Sequence, residues 1–340
     1  MRHFGLACSV WLGSSLRSLS LSALAFGLAT QAVAQSPTKV RYEEAVRSVL
    51  YVPMYVALNQ GYFKENGLSV SMKTSQGTDK GMAALLSNSA DIVLIGPEAT
   101  VYVANSESPV KPKIFCALTA TDGFLLLSRK PIDKFNWSML KGKSVMSFRP
   151  GSNPDVFLET ALRKNGIDPR TDLKLVNNIG PAARTGAWMA GQTDFAIFLE
   201  PEASNLESNG SGHVVASVGQ EVGPVDYTVF TSTDGYLQKN PQVAQGWVNA
   251  IAQAQKYVAA AAPADIARHI AEFFPGMSQA ELVKTVERYR ALRLWKTSTL
   301  VEEGAMETLQ DMLIASGQLE KAKRVKYRQI VDPSFASQAK

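Results

Sequence analysis

Cysteine is almost absent from this chain. Of 340 residues only Cys8 and Cys116 are cysteine, and only His3, His213 and His269 are histidine. Cys8 falls in an N-terminal stretch that reads as a leader, and no apolar run precedes it, which disfavours lipidation. Beyond the leader Cys116 stands alone, so no internal disulfide is expected there; within an apolar run it reads as a buried strand residue. His213 and His269 are far apart and have no metal-ligand spacing. A Gly-x-Ser-x-Gly elbow, a phosphate-binding loop and a dinucleotide glycine fingerprint are all missing. The net charge is only +5. No basic run is interleaved with aromatics, so nucleic-acid binding has no support. A mild basic excess suits an anionic ligand. No metal or cofactor is expected.

The first 34 residues are organised for export. Arg2 and His3 open the chain, Arg17 follows, and Leu19 to Leu28 form an apolar core. Ala32-Val33-Ala34 before Gln35 fits a small-x-small cleavage site. Ser18, Ser20 and Ser22 interrupt the apolar run, which is too short for a membrane span. Residues 1–34 are therefore read as a secretory signal peptide, cleaved near Ala34, and the mature protein as periplasmic. Loss of Arg2 and Arg17 leaves about +3. What remains exceeds one comfortable hydrophobic core, so two domains are expected.

The pattern that follows alternates strand and helix. Lys39 to Tyr42 reads as a strand, Tyr51 to Phe63 as a helix, and Leu68 to Met72 as a strand by its alternation of apolar and polar residues. Ser75-Gln76-Gly77-Thr78 is turn and cap chemistry. Met82, Ala83, Leu85 and Leu86 give the next helix an apolar face. Asp91 to Ile95 is a short apolar run stopped by Gly96-Pro97, as a strand buried on both faces would be. After a helix over 98–104 and a strand over 113–118, Phe124 to Ser128 reads as a passage into a second domain. There Ser144 to Phe148 is a strand. Arg149-Pro150-Gly151-Ser152-Asn153-Pro154 leads into a helix over 155–164, with Trp188 inside a later helix and hence core. Strands follow at 173–176 and 193–198, and Tyr227 to Thr231 reads as a second crossing. Helices then run over 241–261, 263–273, 278–289 and 302–317; Ser278 and Glu281 form a capping-box pattern. They are expected on the first domain. The basic segment Lys321 to Arg328 reads as a solvated terminus. Repeated strand–helix alternation predicts α/β domains with mostly parallel sheets.

The stretch from Leu50 to Pro97 carries a resemblance. Pro53 and Ala57 are followed by Gly61-Tyr62-Phe63, Gly67-Leu68 and Val70, then the Gly77 turn, Ala84-Leu85 and Ala90-Asp91-Ile92. In this order and spacing the chain resembles the solute-binding proteins of ABC importers in the aliphatic-sulfonate, taurine and nitrate group. It is also similar to their relatives that bind thiamine-precursor pyrimidines. The resemblance covers most of residues 38–235. It implies a two-lobe, type II-like periplasmic binding protein with a helical C-terminal tail: lobe 1 over 35–123 and 227–340, lobe 2 over 124–226. It further implies a small-molecule ligand, an ABC permease and ATPase as partners, and a monomer. The cysteine cluster of the pyrimidine synthase branch is missing, which argues against an enzyme. A ligand sensor is a further alternative.

Candidate ligand contacts lie where strands end and helices begin, because helix N-termini offer free N–H groups and a positive dipole end. The turns at Gly77-Thr78 and Gly151-Ser152-Asn153 have this form. Tyr51 and Pro53 open the first helix, where Tyr51 either stacks on a flat ligand or packs in the core. The strand-end positions Gly96 and Thr119 join this set. Arg149 either pairs with an anion or lies on the surface. Glu98 and Glu200 also follow strand ends; a carboxylate there repels a sulfonate and suits an amine or a pyrimidine. The leading expectation is a sulfonate-like organic anion, with a nitrogen heterocycle as the alternative.

Overall fold

A computed structural model describes residues 36–340; the expected leader lies outside them. Strand β1 (Thr38–Glu44) is followed by α1 (Val52–Asn59), α2 (Tyr62–Glu65), β2 (Leu68–Thr74), α3 (Thr78–Leu86), β3 (Ile92–Ile95), α4 (Glu98–Ala104) and β4 (Pro112–Ala117). The second run is β5 (Leu125–Ser128), β6 (Ser144–Met146), α5 (Asn153–Lys164), β7 (Lys174–Val176), α6 (Arg184–Met189), β8 (Phe195–Phe198), α7 (Glu202–Ser208), β9 (His213–Ser217) and α8 (Val218–Val222). The chain closes with β10 (Val229–Thr233), α9 (Asp234–Lys239), α10 (Pro241–Ala260), α11 (Pro263–Ile270), α12 (Gln279–Ala291), α13 (Glu303–Ala315) and α14 (Tyr327–Ile330). The single helix expected over Tyr51 to Phe63 is broken: Gly61 takes φ 78°, a left-handed conformation that glycine tolerates and that separates α1 from α2.

Two five-stranded sheets result, in the orders β2-β1-β3-β10-β4 and β7-β6-β8-β5-β9. These are the same arrangement. In each, one strand runs antiparallel to both neighbours while the other four share a direction: β10 in the first sheet, β5 in the second. Those two reversed strands are the ones that arrive from the other lobe. The buried residues Ile92 to Ile95 of β3 are shielded on both faces, as their unbroken apolar run predicts.

The crossings are tied to one another. Val225 N–H donates to Ala120 O at 3.0 Å, Thr228 N–H donates to Thr119 Oγ1 at 3.0 Å, and the two threonine hydroxyls meet at 2.7 Å. Such a pair of hydrogen-bonded strands makes a narrow hinge.

Helix α10 packs Trp247 against Tyr42, Phe63 and Phe230 beneath the first sheet, with ring centroids 5.3, 4.6 and 5.4 Å away. The Ser278 capping box forms, with its hydroxyl and Glu281 each satisfying a backbone N–H. The tail does not stay on the first lobe alone. Helix α13 touches α4 of the first lobe and α5 of the second, and Arg170 of the second lobe donates to Ser316 O at 3.2 Å. Cys116 and Trp188 are fully buried.

Candidate functional site

A cavity of about 570 Å³ opens between the two sheets. The first lobe contributes the loop after β1, with Arg47, Ser48, Leu50 and Tyr51, and the Gln76–Lys80 turn into α3. The second contributes Phe148 and Arg149 after β6, Ser152 and Asn153 at the start of α5, the segment 177–185, and Phe198. Phe124 and Tyr227 come from the two crossings. Most of these positions lie where a strand gives way to a turn or a helix, whereas Phe124 and Tyr227 precede β5 and β10.

The wall is strongly aromatic. Tyr51, Phe124, Phe198 and Tyr227 are buried yet line the space, and Phe148 joins them. Burial pushes the Tyr51 and Tyr227 hydroxyls well above their ordinary range, so both stay protonated.

The arginines in that wall are engaged by carboxylates or backbone carbonyls. Arg47 binds Glu44 at 2.5 Å, and that buried carboxylate also accepts from Tyr55 and Thr74. Arg149 spans the mouth of the cleft to Asp79 at 3.0 Å. Arg184 is buried against the strand ends. It donates to Ser147 O and, at 2.7 Å, to Ile197 O, and its guanidinium lies 3.7 Å from the Phe148 ring centroid. Burial lowers its pKa to about 9, so it remains a cation. Lys80 stands exposed at the rim.

Among the positions singled out in the sequence, Tyr51, Gly77, Thr78, Gly96, Arg149, Ser152 and Asn153 line the cavity. Pro53, Glu98, Thr119, Gly151 and Glu200 do not. Pro53 is buried in the first turn of α1. Thr119 turns to Thr228 in the hinge, and Gly151 O accepts from Tyr102 Oη across the lobes at 2.8 Å. Glu200 is fully buried. Its carboxylate accepts from Arg288 of α12 at 2.7 Å and from Ser204, while Ser48 Oγ and Tyr289 Oη hold its backbone. It joins the lobes next to Ser48 and Leu199, which line the cavity.

Glu98 lies one layer behind the wall. Its carboxyl folds back over Gly96, so that a Cβ on Gly96 would stand 2.0 Å from Glu98 Oε2. Oε1 accepts from Asn153 N–H at 3.3 Å, across the lobe boundary. Oε2 is buried without a hydrogen-bond partner, and burial raises the pKa to about 7. Two further buried carboxyls flank this region: Asp122 in the hinge, raised to about 8 by burial, and Asp155 in α5, raised to about 6 by burial although Ser147 donates to it.

Sequence reasoning passed over Arg184, Phe124, Phe148, Phe198 and Tyr227. For the aromatics a signal existed, since each sits at or near a strand end. Arg184 lay inside a segment read only as helix. No group of three or more His, Cys, Asp or Glu residues suited to a metal occurs among the described residues.

Comparison with known proteins gives a consistent picture. The family model described as NMT1/THI5 like matches residues 50–265. A provisionally named binding protein of Bacillus subtilis (strain 168), YtlA, is 36% identical over 327 residues, covering 96% of this chain and 97% of that protein. The taurine-binding periplasmic protein of Escherichia coli (strain K12) is 26% identical over 251 residues, covering 72% of this chain and 73% of its own. Among solved structures, the alkanesulfonate-binding protein SsuA from Xanthomonas axonopodis pv. citri, bound to MOPS, superposes with a TM-score of 0.71. It is 19% identical, covers 88% of this chain and 99% of its own, and shows the shared fold.

Proposed function

The chain belongs to the NMT1/THI5 like family, and on that premise we propose that it captures a planar nitrogen heterocycle in the interlobe cavity. It is an extracytoplasmic solute-binding protein of the ABC-import type, with a role in transport and not in catalysis. The observation that carries the heterocycle is the wall itself: five aromatic rings surround the space, while its arginines are already engaged by carboxylates or backbone carbonyls. A flat ring gains contact area and stacking from such a wall. The buried cation of the wall, Arg184, donates to the carbonyls of Ser147 and Ile197.

The mechanism follows the hinge. Ligand bridging both lobes favours the closed form by its differential affinity for that form, and the closed form is what a membrane permease with its ATPase recognises. Cleavage of the leader near Ala34 and lobe limits at 35–123, 124–226 and 227–340 belong to the same proposal.

A small organic anion of the sulfonate type is the second reading. Its support is the exposure of the Arg149–Asp79 pair: side chains 62% and 54% exposed form a weak pair, from which Arg149 can turn to a ligand.

Thermal unfolding of the exported protein against a ligand panel separates the two. A ligand at 100 times its dissociation constant adds about 2.7 kcal/mol. Aminopyrimidines and related heterocycles are expected to raise the melting temperature, with alkanesulfonates, taurine and nitrate leaving it unchanged. The reverse pattern replaces the first reading by the second.

A further inference from the structure

Resting on the hinge closure above, and on neither ligand class, we propose that the lobes close by taking up a proton from solvent at Glu98, so that falling pH favours the closed form. The loop that opens α5 carries contacts across the lobe boundary. Within five residues, Arg149 reaches Asp79 at 3.0 Å, Gly151 O accepts from Tyr102 Oη at 2.8 Å, and Asn153 N–H donates to Glu98 Oε1 at 3.3 Å. Gln318, just past α13, covers the same loop: a Cβ on Gly151 would stand 2.5 Å from its Oε1. This loop is the second lobe's grip on the first. Two carboxylates of the first lobe take part in it. Asp79 stays half exposed, whereas Glu98 is only 2% exposed.

The surroundings of Glu98 in the closed form are incomplete for a charge. The second lobe supplies one backbone N–H to Oε1, and Oε2 is buried with no hydrogen-bond partner. A buried carboxyl short of donors favours its neutral form. Opening the lobes takes Asn153 away and returns the carboxyl to water. Tyr51, Tyr102 and Tyr227 face this region and are pushed up by burial, so they stay neutral. Arg149 is the cation beside them, and it pulls Glu98 down only partly, because burial still raises the carboxyl from 4.5 to about 7. Asp155 and Asp122 are also buried, but their donors are local: Ser147 Oγ in the same lobe and Phe124 N–H two residues along the same crossing. Glu98 differs from both, since its donor comes from the other lobe. The closed form therefore keeps the proton over an interval in which the open form releases it. Between 4.5 and about 7, each unit of rising pH lowers the closed-to-open ratio by up to about tenfold. Capture is strengthened in acid and release is eased in alkali.

Single-molecule energy transfer on the ligand-free exported protein tests this. Dyes are placed on Lys73→Cys in the first lobe and Asn178→Cys in the second, both exposed positions; Cys116 is buried and takes no label. The closed-to-open ratio is expected to fall at least about tenfold between about pH 5 and about pH 7.5. In Glu98→Gln, which cannot ionise, the change over the same range is expected to be less than about twofold. Asp155→Asn is expected to keep the wild-type response. Two populations whose ratio ignores pH in the wild type overturn the proton uptake and leave the hinge standing. So does a pH response that survives in Glu98→Gln. A single population at every pH, in wild type and variant alike, overturns the closure as well.

Discussion

Glu98 and Glu200 are buried carboxylates in the strand-to-helix turns of the two lobes. Glu98 opens α4 directly after Pro97, whereas Glu200 stands before Pro201, ahead of α7. Their surroundings also differ in the supply of donors. Both Glu200 oxygens are satisfied by Arg288 and Ser204, whereas Glu98 has a backbone N–H for one oxygen and nothing for the other. Glu200 therefore fastens α7 to α12. Glu98 is an incompletely satisfied group behind the cavity wall. A buried carboxylate at a strand-to-helix turn is fastened or left incompletely satisfied according to what the rest of the chain brings to it.

That contrast can be broken at either end. The largest effect is expected at Glu200. Arg288→Ala leaves a buried carboxylate without its cation, and urea unfolding is expected to show a loss of about 3–5 kcal/mol; a loss under about 1 kcal/mol would show the pair to be peripheral. Next is the pH response of Glu98, whose pKa is near 7 when folded and starts from 4.5. Below the unfolded value both states hold the proton and the group is neutral to stability. As pH rises through the interval toward 7 the unfolded chain ionises first, so stability is lost, up to roughly 3 kcal/mol above it. Glu98→Gln removes this contribution. Its stability is expected to match wild type near pH 4.5 and to exceed it near pH 8. Arg149, Asp155, Tyr51, Tyr102 and Tyr227 face this region and stay in both proteins, as does Asp122, so the difference between the two isolates Glu98.

Gly96→Ala forces a Cβ into the Glu98 carboxyl and is expected to cost about 1–3 kcal/mol. The cost should shrink in a Glu98→Ala background, and full additivity would show that the two do not touch. The smallest effect is the exposed Arg149–Asp79 pair, for which a double-mutant cycle is expected to give a coupling of about 1 kcal/mol or less.

Much of the fold was legible in the sequence because its signals are local. The apolar run Asp91 to Ile95, the Gly96-Pro97 stop and the Ser278 capping box each act within a few residues, and all appear in the structure. The site was legible only by position. Strand ends and glycine turns pointed to Tyr51, Gly77 and Asn153, which line the cavity. What a strand-end residue does once there depends on distant partners. Arg288 lies 88 residues from Glu200 and Asp79 lies 70 from Arg149, so a pairing that closes either site leaves no periodic trace in the chain. For the same reason the helical tail read as packing on one lobe, whereas α13 reaches both.

The most direct measurement is a crystal structure of the exported protein grown with 4-amino-2-methylpyrimidine. The account predicts the ring against the aromatic wall of Tyr51, Phe124, Phe148 and Tyr227. A ring bound away from that wall would contradict it, as would an anion held by Arg149 in place of the ring.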